Sequence, residues 1–376
     1  MSSDGARTLF YYTSTKIRLP AFSTVTCQRI TKDYRGRCGK VAKLAQVLEE
    51  IKGEHPLLEV VEEKLREEVA GGHLAARLSR NLLDGGGKRL RPILTVLAAS
   101  FYPLPEGVVV DAAVAAELIH LASLVHDDII DNAHMRRGER TINDLWGNQI
   151  AVLTGDHLFA SAFSLLAALP KPAVLRRMTE AIRLMCEGEI EEILRAYQPD
   201  QREANYFRCI ENKTAQLLAA CCQSGALLFD APLDQLQALG NYGLRLGCAF
   251  QIIDDILDLT AQEDELGKPV RWDFMQGNFT LPVLYARRHS PYGDELTRLL
   301  LSGQERRAGQ LLDRMLREED AILYAWQQAA RQVKIAEEAL RALPPHPARE
   351  HLRSLAAGLL EQGPLEEQLL AFSHYP

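Results

Sequence analysis

Several features that would narrow the reading of this 376-residue chain at once are missing from it. No apolar run reaches the roughly 18 to 20 residues that a membrane-spanning helix needs. The first residues carry no long apolar stretch ahead of a small-residue cleavage site, so they do not read as a secretory signal. The expectation is a soluble, cytoplasmic protein. Disulfide signals are absent as well. The seven cysteines (Cys27, Cys38, Cys186, Cys209, Cys221, Cys222 and Cys248) are odd in number, and none forms a C-x-x-C pair. Most sit in Ala/Leu-rich sequence, where reduced, buried thiols are expected. Positive charge is not in excess either. A net charge of -7 disfavours a nucleic-acid surface while leaving room for a local basic pocket. No convincing period-two strand, simple repeat or low-complexity linker is found.

What is present is helical. A hydrophobic fraction of 47% allows a large core. Residues 1–40 differ from the rest: they have Ser/Thr clusters and little periodicity, and up to about Gly39 the bases Arg7, Lys16, Arg18, Arg29, Lys32, Arg35 and Arg37 face only Asp4 and Asp33. This stretch is expected to be a disordered basic extension. From about Val41 apolar residues recur at three- and four-residue steps. Helices are expected over Leu57–Ala70, Pro92–Ser100, Ala112–Ile130, Ile150–Leu169, Val174–Tyr197, Tyr206–Leu228, Leu233–Leu259, Leu281–Arg288, Glu295–Met315, Ala321–Leu343 and Ala348–Gln362. Breaks fall at Gly85–Gly87, Pro103–Pro105, Pro170–Pro172, Pro199 and Gly267–Pro269. The expectation is one all-α domain over residues 41–376.

The strongest chemical signal is Asp127-Asp128-Ile-Ile-Asp131, echoed by Asp254-Asp255-Ile-Leu-Asp258. In each, the first and last Asp lie four residues apart, which on a helix stacks them one turn apart on one face. Both motifs are embedded in apolar sequence. Carboxylates stacked there repel one another and lose solvation, so they need cations. Oxygen-only ligands at this density suit Mg²⁺, which shares phosphate oxygens with a substrate. One such motif could be a solvated acidic face; two copies within apolar runs make that reading poor. His120, Ser123, Asp127 and Asp131 follow helical spacing, as do Gln251, Asp254, Asp255 and Asp258, so each stripe is expected to face one interior cavity.

A basic counterpart precedes them. In Gly85-Gly86-Gly87-Lys88-Arg89-Leu90-Arg91-Pro92 the glycines allow a tight backbone and three bases supply charge, which suits a diphosphate at a helix N-terminus. The segment is not a Walker A loop. Arg136-Arg137-Gly138 follows the first acidic motif, and Lys213-Thr214 and Lys268 add donors. Each alone would read as a scattered surface base; their order around two acidic motifs argues otherwise.

That order (G-G-G-K-R-L-R-P, E-L-I-H-L-A-S-L-V-H-D-D-I-I-D, R-R-G, K-T, F-Q-I-I-D-D-I-L-D) resembles the trans-type prenyl diphosphate synthases, from about Leu44 to about Gly363. Glu117–Gly138, Cys186–Ile193 and Gly267–Ala286 look like the large catalytic component of the two-component heptaprenyl diphosphate synthases. The resemblance implies a single helical bundle around a deep central cavity, the isoprenoid synthase fold, working as a homodimer or with a small partner subunit. It implies that Lys88, Arg91 and His120 hold isopentenyl diphosphate, joined by Arg137. Asp127, Asp131 and Asp254 would bind three Mg²⁺ ions with the substrate diphosphate. Arg136, Lys213, Thr214, Gln251 and Lys268 would face the allylic diphosphate, with Lys213 counted beside the three aspartates as catalytic. The implied product is a long polyprenyl diphosphate, of heptaprenyl type for a quinone side chain, passed on through transient membrane contact.

Product length has its own signal. Ala122 and Ser123 lie about one turn deeper than Asp127, at about 1.5 Å per residue. Both are small, where short-chain members of the family commonly carry an aromatic block, so an open floor is expected. Arg271 and Asn278 depart from the broader family, and Asn278 matches the two-component type. The C-terminus, Phe372–Pro376, lacks the family's frequent basic tail. The rivals are a short-chain synthase making farnesyl or geranylgeranyl diphosphate, a class I terpene cyclase, a non-catalytic regulatory subunit and a helical scaffold. The last three are disfavoured by the Gly-Lys-Arg segment, by two intact acidic motifs, and by six aspartates at these spacings.

Overall fold

The structure, a computed structural model, describes residues 44–198, 201–260 and 271–361. Residues 1–40, Lys268 with its loop, and the C-terminal tail lie outside the described residues. What is described is helical apart from one two-stranded hairpin.

The chain opens with α1 (Leu44–Glu54), α2 (Leu57–Glu68) and α3 (Leu74–Asp84). The last was not anticipated; its N-terminus is capped by His73, whose ring accepts the Ala76 N–H. The glycine-rich loop then leads into α4 (Leu90–Ala99), which carries Pro92 in its first turn and is buried from Pro92 to Ala99, as expected of an apolar run. Next comes α5 (Glu106–Ile130), apolar on every side and fully buried from Ala112 to Ile119. A helix without a polar face belongs in a core. It packs against α4, α2 and α7 (Asn148–Ala168).

Between α5 and α7 lie the hairpin β1 (Met135–Arg136) and β2 (Glu139–Arg140) and the short α6 (Ile142–Trp146). The expectation that no segment is apolar enough to cross a membrane fails for α5 and α7, which both are by length and composition. For α5 the reason is its place in the core, since 72% of its apolar window is buried within the fold.

The second half runs α8 (Pro172–Arg195), α9 (Glu203–Ile210), a π-turn (Glu211–Ala215), α10 (Gln216–Phe229) and α11 (Leu233–Thr260). The helix expected over Tyr206–Leu228 is thus interrupted by a wider turn, a device common at functional sites. Close contact sets this half. A Cβ on Gly243 would stand 2.7 Å from the Ala219 Cα, and one on Gly247 2.5 Å from the Ala215 Cα. Only glycine lets α11 lie this near α10 and the π-turn.

After α12 (Trp272–Met275) come α13 (Leu281–His289), α14 (Gly293–Leu301), α15 (Glu305–Glu318), α16 (Ala321–Ala339) and α17 (Pro347–Leu360). The single helix expected over Glu295–Met315 is broken at Gly303, whose φ of 70° ends α14. α16 packs against α11. The ends of α5 and α11 that carry the acidic motifs are left facing one cavity.

Candidate active site

A cavity of about 520 Å³ opens among α5, α8, the π-turn and α11. It gathers nine of the residues expected from sequence: Arg91, His120, Asp127, Asp131, Arg136, Lys213, Thr214, Gln251 and Asp254. All four members of the α5 stripe, Ser123 included, line it. Asp131 caps α5, its N–H donating to the Asp127 carbonyl at 2.8 Å, so the pair keeps the one-turn stacking read from the spacing.

The second motif is used differently. Asp254 and Asp255 line the cavity. Asp258 is buried and does not belong to its wall; its carbonyl accepts the Arg271 N–H at 2.9 Å. Asp255 is held by two donors, the Tyr206 hydroxyl at 2.6 Å and the Gln251 amide at 2.9 Å. Gln251 in turn accepts from the Thr214 hydroxyl at 2.8 Å. Thr214 and Gln251, both expected to face a diphosphate, form one polar chain across the π-turn and α11.

Electrostatics explain what the cavity wants. Burial pushes the Asp127 carboxyl up to about 7; Lys213 opposes this, while Glu189 and Asp131 add to it. Asp131 is pushed up to about 6, again by burial, with Lys213 opposing and Glu189, Glu192 and Asp273 adding. His120 is driven well below its ordinary range by burial and then by Arg91, Arg137, Arg136 and Arg89, so it is neutral at working pH and serves as a hydrogen-bonding group.

Two predicted residues stand just outside the wall. The Lys88 ammonium sits 5.8 Å over the ring of Phe250, which does line the cavity. Arg137 donates to the carbonyl of Gly86, tying the hairpin to the glycine-rich loop. Arg136 donates to Asp128 at 2.7 Å, which leaves Asp127 and Asp131 as the carboxylates of their motif that line the cavity. Arg89 does not join the array. It turns to the far side of its loop and pairs with Glu62 and Glu117.

Sequence reasoning missed two carboxylates. Glu189 and Glu192 of α8 hold Lys213 at 2.8 and 3.0 Å. Glu192 also accepts from the Asn278 amide at 3.1 Å. The run Glu187–Glu192 resembles a solvated acidic face; the usable signal was Gly188 inside a helix. A Cβ there would stand 2.9 Å from the Lys213 amide nitrogen, so glycine lets α8 press its acids against the π-turn. Arg271, flagged as a departure, turns to α15 and pairs with Asp313 at 2.6 Å.

Among the described residues no three His, Cys, Asp or Glu side chains converge closely enough to hold an ion unaided. That donor set suits a hard cation sharing substrate phosphate oxygens, because Mg²⁺ is commonly held by one or two carboxylates plus phosphates and water. The strained ionisation of Asp127 and Asp131 is what such ions would relieve.

The polyprenyl synthetase family model matches residues 73–318. The chain is 41% identical over 304 residues to heptaprenyl diphosphate synthase component 2 of Geobacillus stearothermophilus, covering 80% of this chain and 93% of that one. It is 37% identical over 287 residues to octaprenyl diphosphate synthase of Escherichia coli, covering 75% and 88%. Among solved structures, a polyprenyl synthase from Caulobacter crescentus complexed with calcium and isoprenyl diphosphate superposes with a TM-score of 0.78 at 31% identity, covering 84% of this chain and 97% of that one.

Proposed function

This chain belongs to the polyprenyl synthetase family, and from that premise we propose that it condenses isopentenyl diphosphate onto an allylic diphosphate to build a long, heptaprenyl-class product. The observation that carries the reading is the convergence of Asp127 and Asp131 from α5, Asp254 from α11, and Arg91, Arg136 and Lys213 on one cavity.

Asp127, Asp131 and Asp254 are the residues that would hold Mg²⁺, three ions in all, shared with the substrate diphosphate. When bound, these ions supply positive charge to the leaving group as the allylic C–O bond breaks. Lys213 and Arg136 hold the same diphosphate from the protein side, donors aimed where negative charge develops. Lys88, Arg91, Arg137 and neutral His120 hold isopentenyl diphosphate. Its double bond then forms the new C–C bond, and the proton lost from the product passes to the released diphosphate. Leu124, Phe159, Ile182 and Met185 furnish an apolar wall that keeps water from the allylic cation.

The assembly is part of the proposal. Leu145 and Trp146 on α6, Val152 and Leu153 on α7, and Ile190, Ile193 and Leu194 on α8 are large, apolar and exposed. Such side chains suit a protein partner, here a second copy or a small partner subunit. We place the enzyme in the cytoplasm, with residues 41–376 as one catalytic domain, the basic stretch of residues 1–40 outside it, and transient membrane contact for product release.

The test is to incubate purified protein with Mg²⁺, farnesyl diphosphate and labelled isopentenyl diphosphate, with and without lysate of the source cell. Long products from pure protein mean a self-sufficient synthase. Long products only with lysate mean the catalytic half of a two-component enzyme. Products ending at geranylgeranyl diphosphate would overturn the long-chain assignment, and no consumption of isopentenyl diphosphate under either condition would overturn the reaction.

A further inference from the structure

The bases of the glycine-rich segment divide between two sides of their loop. Lys88 stands over Phe250 and Arg91 lines the active cavity. Arg89, between them, has φ 52° and ψ 35°. A left-handed conformation at an arginine is uncommon and needs outside support. That support is visible. The Arg89 Nε and Nη2 atoms donate to the two Glu62 carboxylate oxygens at 3.0 and 3.3 Å, and Nη2 also donates to the Leu83 carbonyl at 2.8 Å. Nη1 donates to Glu117 Oε1 at 3.3 Å. Only 12% of the Arg89 side chain is exposed, so this fork is shielded from water. It borders a second cavity, of about 620 Å³, on the side of the loop away from the first.

Glu117 links the two sides. It is buried on α5 one turn before His120. One of its oxygens takes the Arg89 bond; the other, Oε2, has no hydrogen-bond partner, and neither has the buried Nε of Arg91. A buried carboxylate with a free oxygen is costly unless neighbouring charge compensates it. Arg91 is that charge, and Glu117 is the largest opposite charge acting on Arg91. Of the two buried acids of α5, Asp128 is taken by Arg136, so Glu117 is the one that faces Arg89 and Arg91 beside His120.

We propose that Arg89 and Glu117 are positioning residues for isopentenyl diphosphate: the Arg89 fork holds the loop so that Lys88 and Arg91 face the cavity, and Glu117 anchors that fork to α5 beside the buried Nε of Arg91. The proposal rests on the reaction assigned above, and its effect is confined to one of the two substrates. Arg89 touches neither substrate; it acts through the backbone of its neighbours.

The experiment is a steady-state comparison of wild type, Arg89→Lys, Glu117→Gln and Glu62→Gln, varying each substrate in turn. The expected result is a KM for isopentenyl diphosphate raised about ten-fold or more in Arg89→Lys and Glu117→Gln, with the KM for the allylic diphosphate moved less than about two-fold. Glu62 is partly exposed, so Glu62→Gln tests the fork without burying an unpaired charge and is expected to show the same selective effect, smaller. It decides the matter should the other two variants fail to fold. Equal shifts in both KM values, or an unchanged KM for isopentenyl diphosphate in folded Glu62→Gln and Arg89→Lys, would overturn the positioning role. A wild-type enzyme that never consumes isopentenyl diphosphate would instead overturn the underlying reaction.

Discussion

The Tyr206 hydroxyl donates to the Asp255 carboxylate at 2.6 Å, and both groups are buried. This bond fixes the second aspartate of its motif from α9, an element outside the two acidic helices. Burial pushes the Asp255 carboxyl well up and Asp273 adds to this, while the bonds from Tyr206 and Gln251 pull it down. Removing the hydroxyl therefore raises the carboxyl further. Tyr206→Phe should lower stability by about 1 to 3 kcal/mol, the cost of leaving a buried acceptor short of a donor. The acid limb of its pH–rate profile should move to higher pH. Denaturant melts and a pH profile beside wild type check both; an unmoved acid limb would show that turnover does not need ionised Asp255.

Asp127 invites a test with opposite signs for activity and stability. Its folded value of about 7 lies above the ordinary 3.8, so the folded protein binds this proton more tightly than the unfolded chain. Stability is consequently lost as pH rises from about 4 through about 7. Asp127→Asn removes the buried charge. At about pH 8, free of divalent ions, the variant should melt above wild type, while turnover falls on the order of 10²–10³-fold or more. Adding Mg²⁺ with a diphosphate should close the melting gap by stabilising wild type alone. A variant that melts no higher than wild type would mean that water, not burial, surrounds this carboxylate.

Much of this site was legible because a helix turns spacing into geometry. The i, i+4 aspartates of α5 and their upstream His120 and Ser123 share one face in any helix, and apolar neighbours on every side made that helix a core element. The same rule misled at α11, where Asp258 has the right spacing and is nevertheless buried off the cavity wall. Which turns of a long helix meet a cavity depends on what packs over the rest, here α16, and spacing does not encode that. Arg89 was misread for a local reason. Three bases in four residues look like one anion-binding array, and nothing in an arginine side chain announces a positive φ that sends it the other way. Glu189 and Glu192 were hidden in a run that also describes a solvated face.

The joint between the first and last described helices should be pH-sensitive. His55 Nε2 and His351 Nδ1 lie 3.1 Å apart, and the far nitrogen of His351 meets Glu54 at 3.0 Å. Such a contact needs one ring nitrogen to be an acceptor, hence one neutral ring. Burial lowers the His55 value, His351 and His346 lower it further, and Glu54 opposes them. A base with a depressed folded value contributes stability above its unfolded value near 6.5 and loses it as pH falls. The His55 contribution to unfolding free energy should therefore decline from about pH 7 to pH 5.5, against the opposite trend from Asp127 and Asp131, and His55→Gln should remove that contribution and change the pH slope accordingly. Parallel slopes in the two proteins would place the acid sensitivity elsewhere.

Product length turns on the cavity wall below the first acidic motif. Two small residues there, Ala122 and Ser123, suggested an open floor, but they do not occupy equivalent places. Ser123 lines the cavity and donates to the His120 carbonyl at 2.9 Å. Ala122 is fully buried and does not belong to the wall. Ala122→Tyr should accordingly overpack the α5 core, costing about 1 to 3 kcal/mol or more, before it shortens anything. Ser123→Phe places its ring in the path of a growing chain and should shift the product to fewer isoprene units. An aromatic side chain is already present in this wall: Phe159 of α7, stacked on Phe163 with centroids 6.0 Å apart and 5.7 Å from the His126 ring. Phe159→Ala would open space on the same side and should lengthen the product. Chromatography of the dephosphorylated alcohols reads both changes. Opposite shifts place the chain between Ser123 and Phe159; no shift in either variant would mean that it leaves the active site by another wall.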